Sequence, residues 1–275
     1  MRQLFKYLML RTRIFLGTLY LNNLYDLSLH KEFSDRKNRH PNPINQNSVL
    51  NGFSQHEEDS ITLEILERIG LRKGYFVEFG VGEGLENNTL VLLASNWKGA
   101  WFGGQELAFD VSASNRLDFE KAWITKENIL GLYSSLQKDV DVISLDLDGN
   151  DFHLVEELLS NNVNPKLFIV EYNAKFPPQI NFEIDYNPSH NHQSETDDYF
   201  GASLKSFNSL FSDFGYRLVC CNLSGANAFF IKTEFSENFS DIPIELNKLY
   251  CEPFYFLRSR KMYPISFKTI AKIIN

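Results

Sequence analysis

The 275-residue chain reads as an α/β protein: a mostly parallel sheet with helices on both faces, ending in an antiparallel hairpin. Three observations predict this. Short apolar runs recur at YFVEFG (75–80), GAWFGG (99–104), VDVISLDLD (140–148) and KLFIVEYN (166–173), the pattern of strands buried on both faces. Helix-spaced segments separate them, as a parallel sheet requires. The last two runs, YRLVCCN and NAFFIK, are joined only by LSGA, which is a hairpin connection.

The elements follow in order. Residues 1–21 place Arg2, Lys6 and Arg13 on one side of a helix and Leu4, Phe5, Leu8, Phe15 and Leu19 on another. Their longest uncharged run, Ile14 to Leu21, is far short of the roughly 20 residues a spanning helix needs. No small-residue cleavage site follows, so secretion is not expected. Such a basic amphipathic helix either makes peripheral contact with an acidic membrane surface or packs its apolar face on the main domain. Residues 31–52 are polar and rich in Pro and Asn, and read as a linker. Residues 1–53 are therefore an N-terminal helix and linker.

The main domain spans 54–232. Ser54 and Glu57 have capping-box spacing, and Ile61, Ile65, Leu66 and Ile69 form a helical face stopped by Gly70. A helix over Asn88–Asn96 follows the first strand. The region 107–139 holds a short strand at ITKENI, and a helix covers Phe152–Ser160. Residues 174–203 have no period and are long for a plain connection; Pro177-Pro178 and Gly201 bound a lid over substrate. The helix at 203–214 carries Leu204, Phe207, Leu210, Phe211 and Phe214 on one face. Residues 233–275 form a C-terminal extension.

Composition narrows the function classes. With 27 basic and 35 acidic residues the net charge is −8, so the positive field that favours nucleic acid is missing. Three cysteines, Cys220, Cys221 and Cys251, make no disulfide framework and point to a reducing, cytoplasmic setting.

Ligands of open α/β sheets sit at the carboxyl ends of the strands, where the polar residues of this chain collect. Gly80, Gly82 and Gly84 follow the first strand as G-x-G-x-G, a turn that lets backbone approach a ligand; the spacing differs from G-x-G-x-x-G, and no Walker lysine follows. Glu106 follows the second strand and could accept both hydroxyls of a ribose. Asp146, Asp148, Glu171 and Asn173 surround one crevice, and such an oxygen-only set suits Mg²⁺. Asp148 and Asp151 could instead cap the next helix. His190 and His192, on the lid, are candidate general bases, as is Asp148.

Together these residues resemble the FkbM-like S-adenosylmethionine-dependent methyltransferases. The resemblance lies in SQHEEDSITLEIL, YFVEFGVGEGLENNTLVL, WKGAWFGG, VDVISLDLDGNDFHLVEEL, LFIVEYNAKFPP, DYFGASLKSFNSLF and GYRLVCCNLSGANAFFIK. It implies a Rossmann-like class I methyltransferase sheet with an antiparallel last strand. It also implies a cofactor site at Glu78, Gly80, Gly82, Gly84 and Asn88, a ribose acid at Glu106, and Asp146 or Asp148 beside the methionine part and acceptor. Gly103-Gly104-Gln105 intervenes before Glu106, where the acid of the family follows the strand directly. A second similarity, to metal-assisted O-methyltransferases, rests on the acids after the fourth and fifth strands, with Glu-Tyr-Asn where those enzymes carry Asp-Asn. The implied activity is methylation of a sugar or polyketide-type hydroxyl, with a bacterial surface glycan precursor as the preferred acceptor. A nucleotide or nucleotide-sugar enzyme and a non-catalytic interaction module are the alternatives.

Overall fold

Strand formation follows the apolar runs closely. In the computed structural model, which describes residues 2–50, 52–190, 198–254 and 267–275, β1 (Tyr75–Phe79), β2 (Lys98–Gly103), β4 (Val142–Leu145) and β5 (Leu167–Glu171) coincide with the predicted strands. The hairpin is β6 (Tyr216–Cys221) and β7 (Asn227–Lys232). One strand comes from a different place. β3 is Leu117–Lys121, whereas ITKENI lies in the turn and first half of α5 (Lys126–Ser135). Asn128 Oδ1 accepts the Thr125 N–H at 2.8 Å, which starts a helix there and ends any extended run. β3 carries Asp118, Glu120 and Lys121, charges that suit the edge of a sheet.

The seven strands run in the order β3-β2-β1-β4-β5-β7-β6, parallel throughout except β7, which is antiparallel to both β5 and β6. This is the sheet that the resemblance implied. The chain direction across it reverses between β1 and β4, opening a crevice beyond their carboxyl ends. The inner strands are wholly buried, from Phe76 and Val77 through Ile143 to Val170. α6 (Asp151–Ser160) and α7 (Leu204–Asp213) cover the sheet. α7 does so through Leu204, Phe207 and Phe211, with Phe211 stacked on Phe230 at 4.0 Å. Phe214, expected on this face, ends the helix and is 38% exposed.

Three local readings change. α3 (Glu58–Arg68) has no capping box: Glu57 is its N-cap, and the Ser54 hydroxyl instead accepts the Asp59 N–H. α4 (Leu90–Ala94) is shorter than the expected 88–96 helix. The supposed linker is mostly helical. α1 extends over Arg2–Arg39, and α2 (Pro43–Asn47) buries Ile44 and Asn45 against β6. There Asn42 Nδ2 donates to the Val219 carbonyl and Asn45 Nδ2 to that of Cys221, both at 2.8 Å, so polar side chains cover the carbonyls of an edge strand. Arg36 clamps the end of α1 to Glu252 and stacks over Phe254.

Beyond β7, Phe239, Leu249 and Cys251 join the same core, and α8 (Leu246–Leu249) packs on β6. α9 (Phe267–Ile274) docks through Ile270 and Ile274 beside α4 and residues 108–116. Along α1, Phe15 and Leu19 are 63% and 42% exposed, so at these positions the apolar face does not pack on the body. The side chains of Arg2, Leu4, Phe5, Lys6 and Leu8 lie outside the described residues. Among the described residues no helix is long and apolar enough to cross a membrane.

Candidate active site

The glycine turn after β1 contains three different glycines. All have positive φ, at +97°, +51° and +80° for Gly80, Gly82 and Gly84. A Cβ on Gly80 would collide with the Asp146 carbonyl, and one on Gly84 would press on Leu107, Phe109 and Trp101. Those two glycines serve the packing of the protein itself. Gly82 faces open space, with nothing within 4 Å of such a Cβ. Its bare backbone is what a cofactor lying against this turn would need.

Glu78 does not reach that space. It is 3% exposed and lies beneath the turn, accepting the N–H groups of Asn88 at 3.0 Å and Thr89 at 3.1 Å and the Thr89 hydroxyl. Burial pushes its carboxyl up to about 7 against these hydrogen bonds. Asn88, placed among the cofactor residues by its sequence, gives Nδ2 to Ser144 Oγ at 3.1 Å. Both hold the turn to β4 and α4. Glu106 stands at the mouth of the crevice, with its side chain 75% exposed and paired with Lys121 at 2.8 Å.

The carboxylates gather after β4 and β5. Oxygens of Asp146, Asp148 and Glu171 lie within 4.8 Å of one another. Asp151 shapes this cluster: its two oxygens accept the N–H groups of Leu147 and Gly149, each at 2.8 Å, folding the loop so that Asp148 stands at its tip with φ +54°. A positive φ on a non-glycine residue is strained backbone of the kind that collects at functional sites. Sequence reading gave Asp151 only a capping role, although its place two residues after Gly149 is the available signal for this contact.

Burial and the neighbouring carboxylates push Asp146 and Glu171 well above the ordinary range. Without a cation such a pair must hold a proton. The residues present fit a divalent cation: three converging carboxylates, and a buried Glu171 Oε2 with no hydrogen-bond partner. Asn173, expected in this set, is used elsewhere. Its Nδ2 donates to the carbonyls of Asp198 and Phe200, and its Oδ1 accepts the Lys175 N–H at 3.1 Å. It ties the end of the lid to β5.

Residues 174–190 run back past the loop that follows β4. Asn187 and Asn150 exchange hydrogen bonds, and Trp123 Nε1 donates to the Pro188 carbonyl at 2.7 Å. His190 packs on Gly149, next to Asp148, where a Cβ would run into its ring. A cavity of about 70 Å³ beneath is lined by Gly104, Trp123, Leu147, Asn150 and His190. His192 lies outside the described residues. Trp123 carries no such signal in the sequence, since its partner Pro188 is set by the path of the loop.

Behind β7 a second polar group is wholly buried: His56, Glu57, Glu58 and Asp59. Burial raises Glu58, but the hydrogen bond and charge of His56 outweigh it and hold that carboxyl at about 2, while burial and the Glu58 charge push Glu57 up to about 7.

No family model and no curated protein matches the chain. Among solved structures, the fold is similar to the MycE methyltransferase of the mycinamycin biosynthetic pathway, solved with Mg, SAH and mycinamycin VI. That likeness has 16% identity and a TM-score of 0.44, covering 78% of this chain and 57% of that one. It is also similar to the methyltransferase domain of bacterial CtHen1-C (15%, TM-score 0.39, covering 63% and 96%). A third is an O-methyltransferase family protein from Burkholderia thailandensis (11%, TM-score 0.36, covering 64% and 57%). Likenesses this distant carry no argument about chemistry, and the chain spans little more than half the length of the first. The site must speak through its own residues.

Proposed function

We propose that this protein is an S-adenosylmethionine-dependent methyltransferase that alkylates a hydroxyl oxygen, assisted by a divalent cation such as Mg²⁺. One observation carries the reading: beyond the carboxyl ends of β1, β4 and β5, about the β1/β4 switch point, lie both the open backbone of Gly82 and the converging carboxylates of Asp146, Asp148 and Glu171. The first suits a bound cofactor and the second an activated hydroxyl beside it.

Bound S-adenosylmethionine supplies a reactive sulfonium methyl group, so the main task of the protein is alignment. Glu78 holds the glycine turn in shape through Asn88 and Thr89. Gly82 would offer backbone to the cofactor, and Glu106, released from Lys121, would accept the ribose hydroxyls. Asp146, Asp148 and Glu171 would hold the cation, whose charge would favour loss of the acceptor's proton. His190, against Gly149, would accept the proton, with His192 as the other candidate; Asp148 is a direct base only in a scheme without the cation. The Asn150–Asn187 and Trp123–Pro188 contacts keep the lid down and water out.

The acceptor class, a sugar or polyketide-type hydroxyl of a small molecule or surface glycan precursor, rests on the FkbM resemblance. The cytoplasmic setting rests instead on the three cysteines, too few and too odd in number for a disulfide framework. Calorimetric titration with S-adenosylmethionine tests the core of the reading. Micromolar binding is expected, and wild-type protein that takes up no cofactor would sink it.

A further inference from the structure

Asp146, Glu171 and Asn227 stand in one row across β4, β5 and β7. Glu171 pairs with Asn227, and Asp146 follows Leu145, whose partner Val170 precedes Glu171. The Tyr172 N–H donates to the Ala226 carbonyl, so Tyr172 and Ala226 form the hydrogen-bonded pair and Glu171–Asn227 the narrow one beside it. Side chains of a narrow pair leave the same face and approach more closely than those of the wide pairs.

The Asn227 amide is fixed in direction. Its Nδ2 donates at 3.2 Å to Glu58 Oε1, which also accepts Asn222 Nδ2 at 2.6 Å. A carboxylate oxygen accepts and does not donate, so the NH₂ end faces Glu58 and the carbonyl end is turned away from it. Asn227 is 5% exposed, yet its Oδ1 has no hydrogen-bond partner, and neither has Glu171 Oε2. Two buried acceptors on adjacent strands need a donor or a cation.

We propose that Asn227 Oδ1 is a further ligand of the divalent cation held by Asp146, Asp148 and Glu171, and that Glu58 is the positioning residue that turns this carbonyl toward it. The inference rests on the cation reading above. Three carboxylates and one amide carbonyl form an oxygen-only set suited to a hard ion, with positions left for the acceptor and water.

The test titrates the full chain with Mn²⁺, following bound ion by electron paramagnetic resonance, with S-adenosylmethionine titration and thermal melting as separate readouts. Asn227→Ala should bind Mn²⁺ at least tenfold more weakly than wild type while keeping cofactor binding. Asn227→Asp, which retains an oxygen, should bind about as tightly as wild type. Glu58→Gln, which frees the amide to turn over, should also weaken Mn²⁺ binding by tenfold or more. Equal affinity in wild type and Asn227→Ala overturns this inference and leaves the cation site standing. No Mn²⁺ binding by wild type overturns both. If Asn227→Ala fails to fold, Glu58→Gln decides, and unchanged affinity there rejects the proposal.

Discussion

The Glu78 carboxylate accepts the Thr89 N–H at 3.1 Å, and the Thr89 hydroxyl in turn accepts Trp101 Nε1 at 2.8 Å. An acid that the resemblance places at the cofactor is thus the internal brace of the glycine turn. Glu78→Ala should cost about 2–4 kcal/mol, because it strands two buried N–H donors and a hydroxyl. Thermal melting would register the loss. An unchanged melting temperature together with lost cofactor affinity would return Glu78 to direct contact with the ligand.

The glycines divide between packing and binding. Gly82→Ala adds a methyl group into open space and pays only the roughly 1 kcal/mol of a left-handed alanine, so the variant should fold yet bind S-adenosylmethionine at least tenfold more weakly. Gly80→Ala drives the same methyl into the Asp146 carbonyl and should lower the yield of folded protein. Both variants can be compared by melting and calorimetry. Full cofactor affinity in Gly82→Ala would mean that the open space is not the binding face.

The cation scheme has a direct consequence for turnover. EDTA should abolish methyl transfer and Mg²⁺ should restore it, while Asp148→Asn and Glu171→Gln should keep cofactor affinity and lose turnover by a factor of about 10² or more. Product formation from labelled S-adenosylmethionine measures each. Undiminished turnover in EDTA would remove the cation and leave His190 or Asp148 as the direct base.

How much of this was legible in the sequence depends on what each residue's partners are. β1, β4 and β5 could be read because strands buried on both faces are continuously apolar. β3 could not, because an edge strand alternates Leu117 and Phe119 with charges. Asn42 and Asn45 read as linker composition, since nothing local shows that their amides meet carbonyls of β6 some 175 residues away. His56, Glu57 and Glu58 look like the solvated start of a helix, but the β6–β7 turn closes over them. The acids after β4 and β5 were visible from the strand-end rule. The parts of Asp151, Asn173 and Asn227 depend on loop path and register.

His40 gives a pH dependence. Burial lowers its pKa from 6.5 to about 4. The neutral ring accepts the Asn42 N–H through Nδ1 at 3.2 Å and meets Cys251 Sγ through Nε2. Because the folded pKa lies below the unfolded one, this contribution is complete above pH 6.5 and is lost as pH falls toward 4. Partial exposure of the residue trims the expected loss to about 1–2 kcal/mol by pH 5. The melting temperature of wild type should fall between pH 7 and 5, and His40→Gln should remove part of that fall. Identical pH profiles would exclude His40 as its source.

α1 leads to the last prediction. Ile14, Phe15, Leu16, Tyr20, Leu21 and Tyr25 are all at least half exposed, and the sequence from Arg2 to Tyr25 carries Arg2, Lys6, Arg11 and Arg13 with no acidic residue. The rest of the chain is then −12, from −8 minus the +4 of this stretch. A basic, apolar helix on an acidic body matches an anionic bilayer surface, where each basic side chain adds roughly 1 kcal/mol and the apolar ones enter the headgroup boundary. Truncation is a poor test, because Ile44 and Asn45 are buried against β6. Substitution is better. Full-length protein should float with phosphatidylserine-containing vesicles at low salt and detach as salt rises past about 0.5 M. Phe15→Asp with Leu16→Asp should abolish flotation at any salt while leaving the melting temperature unchanged, since neither side chain packs on the body. Equal flotation of wild type and the double variant, or none by wild type, would take the membrane away from this helix.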